Sequence, residues 1–579
     1  MVKKAAGIER KKADMTKLIA GIAILLLFNY IGSFVFFRLD LTAEKRYSLS
    51  EPTKKLVEEL DDIIFFKVYL EGEFPAGFKR LRRETLEMLN EFRAYSKGGN
   101  IAYEFINPSK SSDQEERDEI YRQLFKQGLR PTDLEIQDDD GLSKKIIWPG
   151  AIVSYKDREV PLDLLKNKLG SSPEEVLNSS IENLEYALSS SILKLTKPEK
   201  PRIGFIIGHG ELDTYQTADI AATLSEFYSL ERVRLDQKIH SLTSREELNG
   251  RIVVKNKYAA IVIAKPDSAF SEKDKFVIDQ YIMNGGSVLW LIDPIMAEMD
   301  SLTRADLTMG VAQNLNLDDQ LFTYGVRLNS DLVMDVQSAM IPLPVGMLGN
   351  QPRYELFPWY YFPLLNPSPG NSITKNLNVI KGEFTSTIDF VGNDSLKKQV
   401  LLHTSPYTKL AYSPVRISLG ITRLEPQKEQ YNKSNLPTAV LIEGKFNSVF
   451  RGRLTERFMS GKEIQFKETG KLAKMIVIAD GDIIKNHVRN DGQVLPLGVD
   501  RYTGQEYGNK DFIINAINYL CGEEELMASR SRSIKIRLLD QTKVVSERTA
   551  YQLFNMVAPV ALVLLFALAF NYYRKKKYT

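Results

Sequence analysis

Cysteine is almost absent: Cys521 is the only one in 579 residues. That excludes an intramolecular disulfide, a CxxC redox pair and any multi-cysteine metal site. Histidine is scarce too. His209, His240, His403 and His487 are widely spread and show no ligand spacing such as HExxH. There is no GxxxxGK[ST] phosphate loop, so ATP hydrolysis by that route is excluded, and an ATPase serving this protein would be a separate chain. No GxSxG nucleophile elbow occurs. A strong charge of one sign is also missing. The 77 basic and 74 acidic side chains leave a net charge of +3, without the basic excess of a nucleic-acid binder. Long apolar runs are confined to the two ends, so the chain cannot build a multi-helix channel by itself. The composition that remains, 43% hydrophobic and 26% charged, is that of a folded protein.

The apolar ends read as membrane anchors. Leu18 to Phe37 carries no charge and is long enough to cross a hydrocarbon core of about 30 Å. Its length and the lack of an A-x-A-like site argue against a cleaved signal peptide. Residues 1–17 carry six basic and two acidic groups, which places this end in the cytoplasm by the positive-inside rule. The second span is predicted over 554–573, with Tyr572 and Tyr573 as an interfacial belt and Arg574, Lys575, Lys576 and Lys577 as a cytoplasmic stop. Six basic residues between Arg530 and Arg548 compete with that stop. Two spans nevertheless force both termini onto one side. The charge is therefore segregated: two basic tips enclose a mildly acidic extracytoplasmic body.

The body is expected to be α/β in two modules. In residues 45–195, strand Asp62–Leu70, helix Gly77–Ser96, strand Asn100–Phe105 and helix Ser112–Gln127 precede strands at Leu134–Gln137 and Ile146–Tyr155. This order resembles a thioredoxin-like fold, without its dithiol chemistry. Helix Ser179–Lys194 leads into a Lys/Pro linker ending at Pro201, which marks the domain boundary. Residues 202–525 alternate differently. Apolar strands at Ile203–Ile207, Ala259–Ala264, Ser287–Ile292 and Ala473–Ile478 alternate with helices Thr217–Tyr228, Ser271–Met283 and Ile513–Leu520. That is the pattern of a parallel sheet with helices on both faces. The stretch of about 300–470 reads as a β-rich insertion. Within it, Ile341 to Asn371 reads as a proline- and aromatic-rich loop. Residues 526–553 read as a juxtamembrane linker and 574–579 as the cytoplasmic C-terminus.

In parallel sheets, sites form outside the carboxyl ends of the strands. Here those ends carry His209, Glu211, Asp293, Asp480 and Asp482. Histidine with carboxylates can bind zinc or manganese; the same residues can simply cap turns and helices. Trp359, Tyr360, Tyr361 and Phe362 are either an interface anchor or a folded-back minicore. Cys521 follows a helix rather than a strand, which reads as a structural position and not a nucleophile.

The order of features has a family resemblance. It runs through Leu41-Thr-Ala-Glu-Lys-Arg-Tyr-Ser-Leu-Ser50, Gly208-His-Gly-Glu211, Gly285-Gly286 to Asp293-Pro294, Tyr324-Gly-Val-Arg-Leu-Asn329, Ala479-Asp-Gly-Asp482 and Asp511-Phe512 to Leu520, between the two anchors. The chain resembles the gliding-motility ABC-transporter auxiliary (GldG) family. The resemblance implies a Bacteroidetes inner-membrane protein with a periplasmic bulk. It implies a non-catalytic, amidotransferase-like domain with a flavodoxin-like parallel sheet, related to intraflagellar-transport proteins. It also implies a multi-spanning permease partner (GldF-like), a separate cytoplasmic ATPase (GldA-like), membrane lipid and a periplasmic or envelope partner. No cofactor, metal or nucleic acid is expected on this reading; the acidic and histidine strand ends keep a membrane-anchored metal-dependent envelope hydrolase open as an alternative, and the two anchors a purely structural periplasmic scaffold. The Gly208–Glu211 turn is the best candidate for a family-specific contact.

Overall fold

The computed structural model describes residues 15–27, 30, 49–138, 141–165, 172–196, 200–248, 251–348, 351–392, 395–423, 425–454, 464–489, 492–522 and 546–578. The motif Leu41 to Tyr47, most of the expected linker 526–553 and part of the first expected span, including 31–37, lie outside the described residues.

The N-terminal module opens with helix α1 (Glu51–Glu58), capped by the Ser50 side chain. Strand β1 (Ile64–Val68) follows, then α2 (Ala76–Tyr95), β2 (Ile101–Phe105) and α3 (Gln114–Lys126). Alternation along β1 buries Ile64, Phe66 and Val68 completely or nearly so. Phe78, Leu81, Leu89 and Phe92 of α2 recur at helical spacing and cover the same core. Strands β3 (Gly150–Tyr155) and β4 (Arg158–Asp163) complete a sheet of order β2-β1-β3-β4. The β1–β2 pair is parallel and the other two pairs are antiparallel. Ile146 and Ile147, expected to belong to β3, instead end a separate hairpin over 132–147. The helix expected over 179–194 is two helices: α4 (Pro173–Glu182), entered through a Ser172–Glu175 capping box, and α5 (Leu184–Thr196).

The second region is built on one large sheet. Its parallel part has β5 (Arg202–Ile207), β6 (Ser229–Arg234), β7 (Ala260–Ala264), β8 (Ser287–Leu291) and, much later, a strand over Thr469–Ile478. All side chains of β7 and β8 are buried, as expected for strands covered on both faces. Successive residues alternate between two cores. Phe205, Val262, Leu289 and Ile476 meet helices α6 (Ala218–Ser225) and Asn509–Leu520 on one side. Ile206, Ile261, Trp290 and Val477 meet α7 (Glu272–Met283) on the other. Ser271 caps α7, its side chain accepting from the Asp274 amide.

The insertion extends this sheet antiparallel through β9 (Ser338–Leu348), β10 (Gln351–Pro367), β11 (Lys397–His403) and β12 (Pro437–Asn447) to β13 (Thr469–Ile478). The full order is β9-β10-β11-β12-β13-β8-β7-β5-β6. The expected loop 341–371 is thus mostly a long β-hairpin. Trp359, Tyr360, Tyr361 and Phe362 are buried in a satellite core with Phe384 and Tyr431. The domain's last helix is α8 (Asn509–Leu520), and Cys521 caps its C-terminal end, half-buried.

Two apolar helices remain. Helix α9 (Arg548–Tyr578) contains the stretch Arg548–Lys576, long and apolar enough by length and composition to cross a membrane. Met15–Leu27 is a shorter apolar helix.

Candidate functional site

In chain order the parallel strands β5, β6, β7, β8 and β13 stand in the spatial order 2-1-3-4-5. Chain direction across the sheet reverses between β5 and β7, which opens a crevice at their carboxyl ends. Four turns converge there: Gly208-His-Gly-Glu211 after β5, Lys265-Pro-Asp267 after β7, Asp293-Pro294 shortly after β8, and Asp480-Gly-Asp482 after β13. Their backbones are tightly fitted. Gly210 has φ +76°, and a Cβ there would collide with the Asp267 carboxylate. A Cβ on Gly481 would lie 2.5 Å from Cβ of Lys265, which itself has φ +53°.

The five residues singled out from the sequence form two clusters rather than one. In the first, the His209 imidazole is held between carboxylates. Nδ1 is 3.2 Å from Glu211 Oε1, and Nε2 is 3.3 Å from Asp274 Oδ2. The ring stacks on Phe270 with centroids 3.8 Å apart. Burial pushes the imidazole pKa down, but the two carboxylates outweigh it and raise it above the ordinary value. Burial likewise pushes Glu211 up, and His209, through its ring and its backbone N–H, brings it below the usual range. This cluster ties the β5 turn to the start of α7.

The second cluster holds Asp293, Asp480 and Asp482, whose carboxylate oxygens lie within 4.8 Å of one another. Sequence reasoning missed the residue that organises them. Lys265 Nζ donates to Asp482 Oδ2 at 2.5 Å and lies 3.2 Å from Asp293 Oδ2. Lys485 Nζ lies 3.1 Å from Asp482 Oδ1. Asp480 accepts from the Glu383 and Asp482 amides and from Thr385 Oγ1. Asp293 accepts from the Gly481 amide. Burial, together with the charges of Asp293 and Asp482, drives the Asp480 pKa well above the carboxylate range. Burial also raises Asp293, whereas Lys265 and Lys485 overcome burial to lower Asp482. Three acidic groups could in principle hold a divalent cation, but here the Lys265 ammonium stands among them and supplies the positive charge. A neighbouring buried network pairs Lys381 with Glu383 and Asp500 at 2.9 and 2.7 Å. Lys265, Lys381 and Lys485 sit at or beyond strand ends, yet a lone lysine in a turn gives no signal in the sequence.

The crevice beside these turns has a volume of about 470 Å³ and is lined by Gly210, Gln216, Lys265, Asp267 and Lys485. It carries hydrogen-bonding and charged groups of both signs and no nucleophile–base pair. The buried aromatics of β10 do not line it.

Comparison with known proteins follows this architecture. A family model described as "ABC-type uncharacterized transport system" matches residues 200–516, more than half the chain. The chain belongs to this family. A domain of unknown function matches residues 43–154, within the N-terminal module. A protein of Borreliella burgdorferi described as "Uncharacterized protein" is 21% identical over 583 residues, covering 98% of this chain and 99% of the relative. Among solved structures, the "mmIFT52 N-terminal domain" is similar at 14% identity and a TM-score of 0.30, over 55% of this chain and 97% of that one. Family membership makes the protein an auxiliary component of an ABC-type transport system, and helix α9 fits membrane association.

Proposed function

We propose that this protein is a non-enzymatic, substrate-binding or auxiliary extracytoplasmic subunit of an ABC transporter required for gliding motility. The observation that carries the reading is the family match over 200–516. The absence of a phosphate loop in the sequence assigns ATP hydrolysis to a separate cytoplasmic chain (GldA-like), and the two apolar helices pack on a multi-spanning permease (GldF-like). Both termini are cytoplasmic and residues from about 38 to 553 are periplasmic. The N-terminal module is thioredoxin-like, a reading supported by its β2-β1-β3-β4 order with one parallel pair. The larger domain is amidotransferase-like, supported by the 2-1-3-4-5 parallel order of flavodoxin-like sheets. The His209–Glu211 turn and the Lys265 cluster are contact surfaces, not catalysts.

Affinity purification of the full-length protein from detergent-solubilised membranes tests the assembly. A permease and an ATPase co-purify in the expected outcome. A chain that brings down neither, under conditions where the permease is stable, overturns it. Deletion of the gene abolishes surface gliding if the motility assignment holds, and leaves it intact if the transporter serves another process.

A further inference from the structure

The N-terminal module carries an apolar groove that its own core does not fill. Helix α3 rests on the module through the buried Leu124, which meets Leu129, Trp148 and Ile152 in a small satellite core. Tyr121 and Phe125 of the same helix form one wall of the groove, and Pro131, Ile146 and Trp148 form the rest. The Tyr121 and Trp148 rings are 5.5 Å apart. Phe125 is 55% exposed and Ile146 41%, so the walls stand open. The volume is about 360 Å³. A small molecule in so open a site would keep much of its surface in water, whereas small-molecule pockets bury about 70–90% of their ligand. The rim is basic. Arg122 and Lys126 line it one helical turn apart, and the lining contains no acidic side chain. Arg122 shares an exposed pair with Glu119 at 2.9 Å, a kind of contact that contributes little. Lys126 and Arg130 form no ion pair among the described residues. The Arg130 guanidinium lies over the Phe125 ring, 5.1 Å from its centroid. Lys265 and Lys485 are neutralised by Asp293 and Asp482; these rim cations are available to a partner.

We propose that this groove docks an acidic amphipathic helix of a partner chain. Tyr121 with Phe125, and Arg122 with Lys126, form two neighbouring stripes at the i, i+4 spacing of a helix face. An incoming helix matches that spacing with its own. Its apolar residues at i, i+3 and i+4 fill the groove, and carboxylates one turn apart on its flank meet Arg122, Lys126 and Arg130. A basic helix finds no acidic side chain in the lining to receive it and faces the rim cations instead. The inference rests on the N-terminal module alone and holds whether or not the partner chains are those proposed above.

Fluorescence anisotropy tests it, with the full-length protein in phosphatidylcholine nanodiscs. The probe is a fluorescein-labelled peptide of about 18 residues, long enough to be helical, with a leucine stripe flanked by glutamates. A second peptide carries lysine at every glutamate position. Saturable binding of the acidic peptide is expected, about tenfold tighter than that of the basic one and weakened by added salt. Phe125→Ser removes the exposed wall and weakens binding about fivefold. Lys126→Glu combined with Arg130→Glu reverses the preference, so that the basic peptide becomes the tighter ligand. A reversed preference cannot come from unfolding, so this charge swap decides the case even if Phe125→Ser is destabilised. Equal affinity for the two peptides overturns the proposal, as does a preference unmoved by the charge swap. Absence of saturable binding, or equal binding to empty nanodiscs, overturns it as well.

Discussion

Lys265 decides how the strand-end carboxylates coexist. Asp293 and Asp482 are almost fully buried and share its ammonium. Removing one partner of a buried charge pair leaves an uncompensated charge, at a cost of about 3–5 kcal/mol. Lys265→Met is therefore expected to lose about that much stability at pH 7 in denaturant titration. Lys485 still neutralises Asp482 in that variant, so Asp293 is the group left alone, and adding Asp293→Asn restores part of the loss. A Lys265→Met protein as stable as the parent would mean that the cluster is neutralised in another way. His209 gives a pH signature with a definite sign. Its pKa is raised in the folded state by Glu211 and Asp274. The stability it contributes is thus fully present below the unfolded value of about 6.5 and is lost as pH rises through the raised value. The difference in urea midpoint between the parent and His209→Gln should be largest near pH 5.5 and shrink by pH 8.5. A difference that grows with pH contradicts the clamp.

At the scale of elements, the β-hairpin of β9 and β10 separates into two halves with different energetics. Trp359, Tyr360, Tyr361 and Phe362 are buried near its base, whereas Met347, Tyr354 and Leu356 towards its tip are exposed. Trp359→Ala should cost about 3–5 kcal/mol by cavity formation. Trp359→Phe should cost less, because the indole N–H has no hydrogen-bond partner to lose. Tyr354→Ser should change stability by no more than about 0.5 kcal/mol. Thermal or chemical unfolding of the three variants checks the ordering; equal losses at Trp359 and Tyr354 would contradict it. The same hairpin shows why sequence reading stops where it does. Pro342, Pro344, Pro352, Pro358 and Pro363 mark a segment as non-strand, since proline lacks a ladder donor. A ribbon with an open edge tolerates them, and only the partner strand reveals that edge. The buried strands β7 and β8 were legible because unbroken apolar runs need cover on both faces. Strand β6, with Glu231, Arg232 and Arg234 on a sheet edge, has no such run and was missed. Asp293, Asp480 and Asp482 were legible as strand ends. Their separation from His209 was not, because it depends on Asp274 reaching back from α7 and on Lys265 bridging two turns.

For the whole molecule, charge and hydropathy make the proposed membrane topology testable. Residues 1–17 and 571–579 are strongly basic, and the intervening chain has a net charge of −5. Basic residues flanking a span resist translocation, which is the basis for the proposed cytoplasmic placement of both tips. Arg548–Lys576, at about 1.5 Å per residue, is about 43 Å long, ample for a core of about 30 Å. The opposing feature is the basic stretch from Arg530 to Arg548, which precedes this helix and would favour the reverse orientation by the same rule. In the proposed two-span topology the N-terminal span delivers the acidic body outward, and the second span then returns the chain against this bias. Alkaline phosphatase inserted at the exposed Lys156-Asp157 turn between β3 and β4 should be active if the body is periplasmic. Green fluorescent protein fused after Thr579 should fluoresce. Loss of C-terminal fluorescence would show that Arg530–Arg548 governs α9. Replacing Arg574, Lys575, Lys576 and Lys577 with glutamine should then shift a fraction of the chains to that state, and the fraction measures how closely the two basic clusters are balanced.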